Sequence, residues 1–259
     1  MSEIIDCTDD AGRAEGLARA HEAITEQECI VLPTDTVYGI GADAFSPRAV
    51  ATLLAAKGRG RNMPPPVLVA RPEVLDGLAT EVPQQARDLA AAFWPGPLTL
   101  ILRAQPSLTW DLGETHGTVA LRMPDDPIAL DLLGLTGPLA VSSANRTGNP
   151  AASTAVQARE QLGDAVGLYL DGGTRGENVP STIVDCTGEA FTVVRLGALS
   201  LERLREVVPE VVDGTDGAAA DRPAEAVQDA EPVQDAEPET APDPAGATAG
   251  DDRERPTGA

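Results

Sequence analysis

Lysine is almost missing from this chain of 259 residues: Lys57 stands alone against 18 arginines. Histidine is scarce too. His21 and His116 have no cysteine or acid at ligand spacing, which argues against a histidine-built metal centre, and no metal ligand is assigned. Cys7, Cys29 and Cys186 are odd in number and far apart, so they form no zinc spacing and no redox pair. A reduced, cytoplasmic setting fits them. No apolar run reaches membrane-spanning length, and the acidic start Met1–Asp6 lacks the pattern of a secretory signal. Gly-Lys-Ser and Gly-Lys-Thr are absent, which excludes a Walker loop, and the missing Gly-x-Ser-x-Gly excludes a serine-hydrolase elbow. From Glu210 onward there is no Leu, Ile, Met, Phe, Tyr or Trp. Such a segment offers too little apolar surface to offset the entropy of ordering, and it carries a short repeat, Val227–Pro232 then Val233–Pro238. The expected organisation is one folded domain over 4–208 and a disordered acidic tail over 210–259.

The formal net charge is −22. The segment from Glu210 holds 14 acids and 3 arginines, and the rest holds 27 acids and 16 bases, so each part carries −11. A protein that grips nucleic acid by its backbone normally presents a basic face, so stable nucleic-acid binding is not expected.

What is present is an alternation of strands and helices. Strands are expected at Glu28–Leu32, Val67–Val69, Leu98–Leu102, Thr118–Met123, Pro138–Ser142 and Val166–Leu170, with a hairpin of 181–186 and 191–196 around Gly188. Helices are expected after Ser46-Pro47, over Pro83–Phe93, from Asp126-Pro127 to Leu133, over Thr154–Leu162 and over Ser200–Val208. This pattern indicates an α/β fold with a twisted mixed sheet and flanking helices.

Four segments rich in hydroxyls, glycines or cations follow strands or cap helices. They are Pro33–Gly41, Lys57–Arg61, Ser142–Gly148, and Asp171–Gly173 continuing to Pro180–Thr182. Such loops are where α/β proteins bind ligands. Gly39-Ile-Gly41 resembles a dinucleotide fingerprint, but polar Thr34–Thr36 separates it from the preceding strand and no acid follows at ribose spacing. Lys57 sits in the last turn of its helix, where the dipole favours any cation. Ser143 and Asn145 could serve only as turn residues, and Asp171 reads as a turn acid. The lone lysine nevertheless lies in a run with Arg59 and Arg61 beside exposed backbone amides, which suits phosphate.

Taken in order, several motifs resemble the YrdC-like family of threonylcarbamoyl-AMP synthases. They are Pro33-Thr-Asp-Thr-Val-Tyr-Gly-Ile-Gly41, Lys57-x-Arg59, Trp94-Pro-Gly-Pro-Leu-Thr99, Thr118-Val-x-x-Arg122-x-Pro124, Ser143-Ala-Asn145 and Ser181-Thr-Ile-Val-Asp185. The resemblance runs from about Ile4 to Gly197 and implies a YrdC-like (DHBP synthase-like) sheet around a concave cationic cavity. It implies that Lys57, Arg59, Ser143, Asn145 and Arg195 bind ATP, and that Thr36, Thr118 and Ser181 hold L-threonine. No catalytic residue is implied. Departures from the family pattern lie at Arg59-Gly60, at Met63, and at Leu68, where relatives carry histidine. The implied reaction joins L-threonine and bicarbonate with ATP, releases pyrophosphate, and feeds a tRNA threonylcarbamoyltransferase complex. Mg2+ would accompany ATP. The alternative is an RNA-binding or ribosome-maturation factor on the same fold, against which the acidic composition argues. The chain looks like the short form of the family, without a second C-terminal domain.

Overall fold

The computed structural model describes residues 2–175 and 179–215. Its elements in chain order are β1 (Glu3–Asp6), α1 (Asp10–Thr25), β2 (Ile30–Leu32), β3 (Gly39–Asp43), α2 (Pro47–Lys57), β4 (Val67–Leu68), α3 (Leu75–Leu78), α4 (Gln84–Phe93), β5 (Leu98–Arg103), β6 (Thr118–Arg122), α5 (Pro127–Thr136), β7 (Leu139–Ser143), α6 (Ala155–Leu162), β8 (Leu168–Asp171), β9 (Thr182–Asp185), β10 (Thr192–Arg195), α7 (Leu201–Arg205) and β11 (Val212–Asp213). The strands join in one sheet ordered β1-β8-β2-β3-β7-β4-β6-β5-β9-β10-β11. Pairings of both senses occur: β2 lies parallel to β8 and antiparallel to β3, and β5 lies parallel to β9 and antiparallel to β6. The sheet is therefore mixed, as the alternation of elements indicated.

Both faces are covered. Ile30 and Leu32 of β2 enter one apolar cluster with Ile128, Leu132 and Leu133 of α5. Val31 points the other way, into a larger cluster with Leu53 and Leu54 of α2, Leu89 of α4 and Leu162 of α6. This period-two split explains why β2 reads as continuously apolar. Helix α2 starts where its sequence signals place it. The Ser46 side chain accepts from Ala49 N, Pro47 opens the first turn, and Gly58 closes it with φ of 69°.

Two expectations need correction. Gly39–Gly41, read as the end of the Pro33–Gly41 loop, belongs to a central strand, Gly39–Asp43, between β2 and β7. A Cβ on Gly39 would come within 2.5 Å of Val141 Cγ1, so glycine is there for close approach of strands. The folded domain also runs past Val208. Val211 is buried, Val212 N donates to Phe191 O, β11 pairs parallel with β10, and Gly214 N donates to Val193 O. A short edge strand needs backbone partners and one buried valine, so an absence of large hydrophobics does not forbid it. The remainder of the acidic tail, 216–259, lies outside the described residues.

Candidate active site

A cavity of about 560 Å³ opens across the middle strands. Its wall combines Thr34 and Thr36 from the β2–β3 turn, Pro66 and Leu68 at β4, Thr99 of β5, Arg122 of β6, and Ser142 and Ser143 of β7. Arg59, Ser181, Arg195 and Thr215 complete its polar lining. Three arginines converge there, and no carboxylate lines the cavity among the described residues. In a chain of net charge −22 this concentrates cationic groups at one place suited to a polyanion.

The Pro33–Gly39 turn is held from within. Thr34 Oγ1 donates to Val37 O at 2.6 Å and accepts from Thr36 N at 3.2 Å. Arg122 then ties three motifs together. Its Nη2 donates to Asp35 at 2.5 Å, its Nη1 to Thr36 Oγ1 at 3.0 Å, and its Nε to Gly96 O at 3.1 Å. Gly96 belongs to Trp94-Pro-Gly-Pro97, whose Trp94 indole donates to Leu98 O at 2.7 Å and so anchors that turn. Arg122 is only 7% exposed. Burial pushes its guanidinium pKa down, and the facing Asp35 carboxylate opposes that shift. In sequence, Arg122 is one position of a motif and carries no evident role. A buried arginine in an arginine-rich acidic chain looks like any other until its partners are known.

Ser181 lies at the crossing of two more segments. Its Oγ is 2.9 Å from Thr99 Oγ1, and Arg195 Nη2 donates to Ser181 O at 2.8 Å and to Ser181 Oγ at 3.1 Å. Thr182 Oγ1 accepts from Gly197 N and Leu199 N, which clamps the Arg195–Gly197 segment against Pro180 and Ser181. On the other side, Arg59 Nη1 donates to Ser142 Oγ at 3.1 Å.

Of the residues named from sequence, Arg59, Ser143, Arg195, Thr36 and Ser181 line the cavity. Lys57 and Asn145 lie behind its wall, 1% and 0% exposed, bonded to one another at 3.0 Å. Thr118 is the exception. It starts β6 opposite Arg103, while Arg122 ends that strand at the cavity, and its hydroxyl donates to Thr115 O at 2.8 Å. Four residues of strand separate the two by about 13 Å. Thr118 is therefore outside the cavity lining, and the same motif delivers Arg122 there instead. Asp171 is a turn acid: it accepts from Gly173 N at 2.9 Å and lies beside the buried Tyr38 hydroxyl. Gly39–Gly41, as a strand, offers no dinucleotide loop.

A family profile described as Sua5_yciO_yrdC, telomere recombination, matches residues 22–197. A Mycobacterium tuberculosis protein, provisionally named threonylcarbamoyl-AMP synthase, is 52% identical over 219 residues, covering 85% of this chain and 99% of its own. A Pseudomonas aeruginosa threonylcarbamoyl-AMP synthase is 36% identical over 180 residues, covering 69% of this chain and 96% of its own. The crystal structure of Pyrococcus abyssi Sua5 complexed with L-threonine superposes with a TM-score of 0.78 at 35% identity. That match covers 82% of this chain and 62% of the Pyrococcus abyssi chain.

Proposed function

Because the chain belongs to the Sua5/YciO/YrdC family, we propose that it is a threonylcarbamoyl-AMP synthase. In this reading it uses L-threonine, bicarbonate and ATP. The observation that carries the proposal is the convergence of Arg59, Arg122 and Arg195 on one hydroxyl-lined cavity.

The chemistry asks for little else. The threonine amine adds to bicarbonate-derived CO2 and gives a carbamate. A carbamate oxygen attacks the α-phosphorus of ATP, a new P–O bond forms, and the α–β bridging bond breaks to release pyrophosphate. The threonine carboxylate, the carbamate and the ATP phosphates are all anionic, so the protein's work is to bring anions together and neutralise them. Arg59 and Arg195, with Ser142 and Ser143, are suited to the phosphates. Arg122, with Thr36 and Ser181, is suited to the threonine carboxylate and hydroxyl. Its guanidinium is already oriented by Asp35 and Gly96, so threonine meets a donor set that needs little further ordering. Mg2+ enters as part of the MgATP substrate and is carried by the phosphate oxygens. The product is a reactive mixed anhydride, so it is handed on to a transferase that modifies tRNA.

The test is direct. Protein incubated with ATP, Mg2+, threonine and bicarbonate should release pyrophosphate and yield the adenylate by mass spectrometry. Omitting threonine or bicarbonate should abolish release. Release that is indifferent to either omission would refute the proposal.

A further inference from the structure

The lone lysine lies where a cation can hold protein oxygens and not where it faces the cavity. Lys57 ends α2 and is 1% exposed. Its Nζ donates to Ser143 O at 2.5 Å, Asn145 O at 2.9 Å and Asn145 Oδ1 at 3.0 Å, with Ser143 Oγ a fourth neighbour at 3.3 Å. An ammonium has three hydrogens, so these oxygens can take its donors in full. The lysine backbone joins the same turn, because Thr147 N donates to Lys57 O at 3.0 Å. Asn145 continues the arrangement on its other side, donating from Nδ2 to Arg146 O and to Asn149 O at 2.7 Å. From the strand side, Ala144 N donates to Tyr38 O at 2.7 Å. The turn after β7 is thus held by α2 through the Lys57 ammonium and backbone carbonyl, and by Tyr38, just before β3, through one backbone bond. Its cavity-facing members are Ser142 and Ser143, whereas Lys57 and Asn145 are set behind them.

We propose that Lys57 is a positioning residue: its ammonium fixes the Ser143–Asn145 turn so that Ser143, and Arg59 beside Ser142, meet the nucleotide, while Lys57 itself does not touch the phosphates. This rests on the nucleotide reading of the cavity. It also gives a reason for lysine at this one position in a chain that otherwise uses arginine. Two of the accepting oxygens are main-chain carbonyls that converge on a point, which suits a compact tetrahedral donor. A guanidinium spreads its donors in a rigid planar fork and matches such a point of convergence less well.

The composition supplies the experiment. With a single lysine, full-length protein labelled with 15N-lysine gives one side-chain ammonium resonance. The expected result is a signal protected from exchange with water in the absence of nucleotide, and little changed by a non-hydrolysable ATP analogue. An ammonium that exchanges freely until the analogue is added would overturn the proposal. If the analogue does not bind at all, the nucleotide reading fails, while the protected signal still reports the internal clamp. A mutant cycle gives the functional readout. Lys57→Met and Asn145→Ala should each raise KM for ATP about tenfold. The double variant should lie within about twofold of the worse single one, because both act through the same turn. Multiplying effects, near a hundredfold, would mean an independent contact and would refute positioning. Should Lys57→Met not fold, the resonance decides alone, and in labelled Asn145→Ala protein its protection should fall.

Discussion

Asp35→Asn tests the proposed threonine side of the cavity. The substitution keeps shape and removes one charge. Asp35 and Arg122 are a nearly buried pair, with side chains 13% and 8% exposed and 2.5 Å apart. Removing one member of such a pair typically costs about 3–5 kcal/mol, because the other charge stays behind uncompensated. Here Arg122 keeps its bonds to Thr36 Oγ1 and Gly96 O, so the low end, about 3 kcal/mol, is expected. For a domain of this size that lowers Tm by roughly 6–12 °C. Function should move selectively. The guanidinium loses the anchor that aims it, so KM for threonine should rise about tenfold, near 1.4 kcal/mol, while KM for ATP changes little. Differential scanning calorimetry and pyrophosphate release at varied threonine give both quantities. A variant with wild-type Tm and wild-type threonine KM would refute the reasoning. An equal rise in both KM values would show that Arg122 serves the whole cavity and not the threonine end.

Truncation separates the edge strand from the acidic tail: ending the chain after Thr215 should leave Tm and activity near wild type, whereas ending it after Pro209 removes buried Val211 and β11 and should lower both. Ser181→Ala removes the hydroxyl shared by Thr99 and Arg195, and should reduce kcat/KM for threonine by about 1–2 kcal/mol with a smaller change in Tm. Thr118→Val should be nearly silent in threonine KM, since that hydroxyl serves the Thr115 turn; a tenfold rise would restore its place in the site. Burial pushes the Cys7 thiol up to about 11 and the Cys29 thiol up to about 12, so alkylation of the native protein at pH 8 should be slow at both and complete only on unfolding.

The fold class was legible because it rests on local signals. Ser46-Pro47 before α2 and Gly58 after it cap a helix whatever lies around them, and the apolar run Ile30–Leu32 marks a strand buried on both faces. The motifs, taken in order, likewise marked most of the polar residues that line the cavity. Elements whose stability comes from neighbours were not legible. Gly39–Asp43 has, apart from Ile40, little strand propensity of its own and becomes a central strand because β2 and β7 offer backbone partners at close range. Val212–Asp213 is a strand because β10 leaves an edge. The roles within the site were decided the same way. Sequence spacing could say that Lys57, Ser143 and Asn145 belong together, but only packing turned the ammonium toward protein carbonyls and away from the cavity. Strand β6 carries both Thr118 and Arg122, and the direction in which it crosses the sheet put the arginine at the cavity and the threonine at the far end. Local chemistry thus determined which segments matter, while long-range pairing decided which atoms of those segments face a substrate, because a side chain's direction depends on what its strand pairs with.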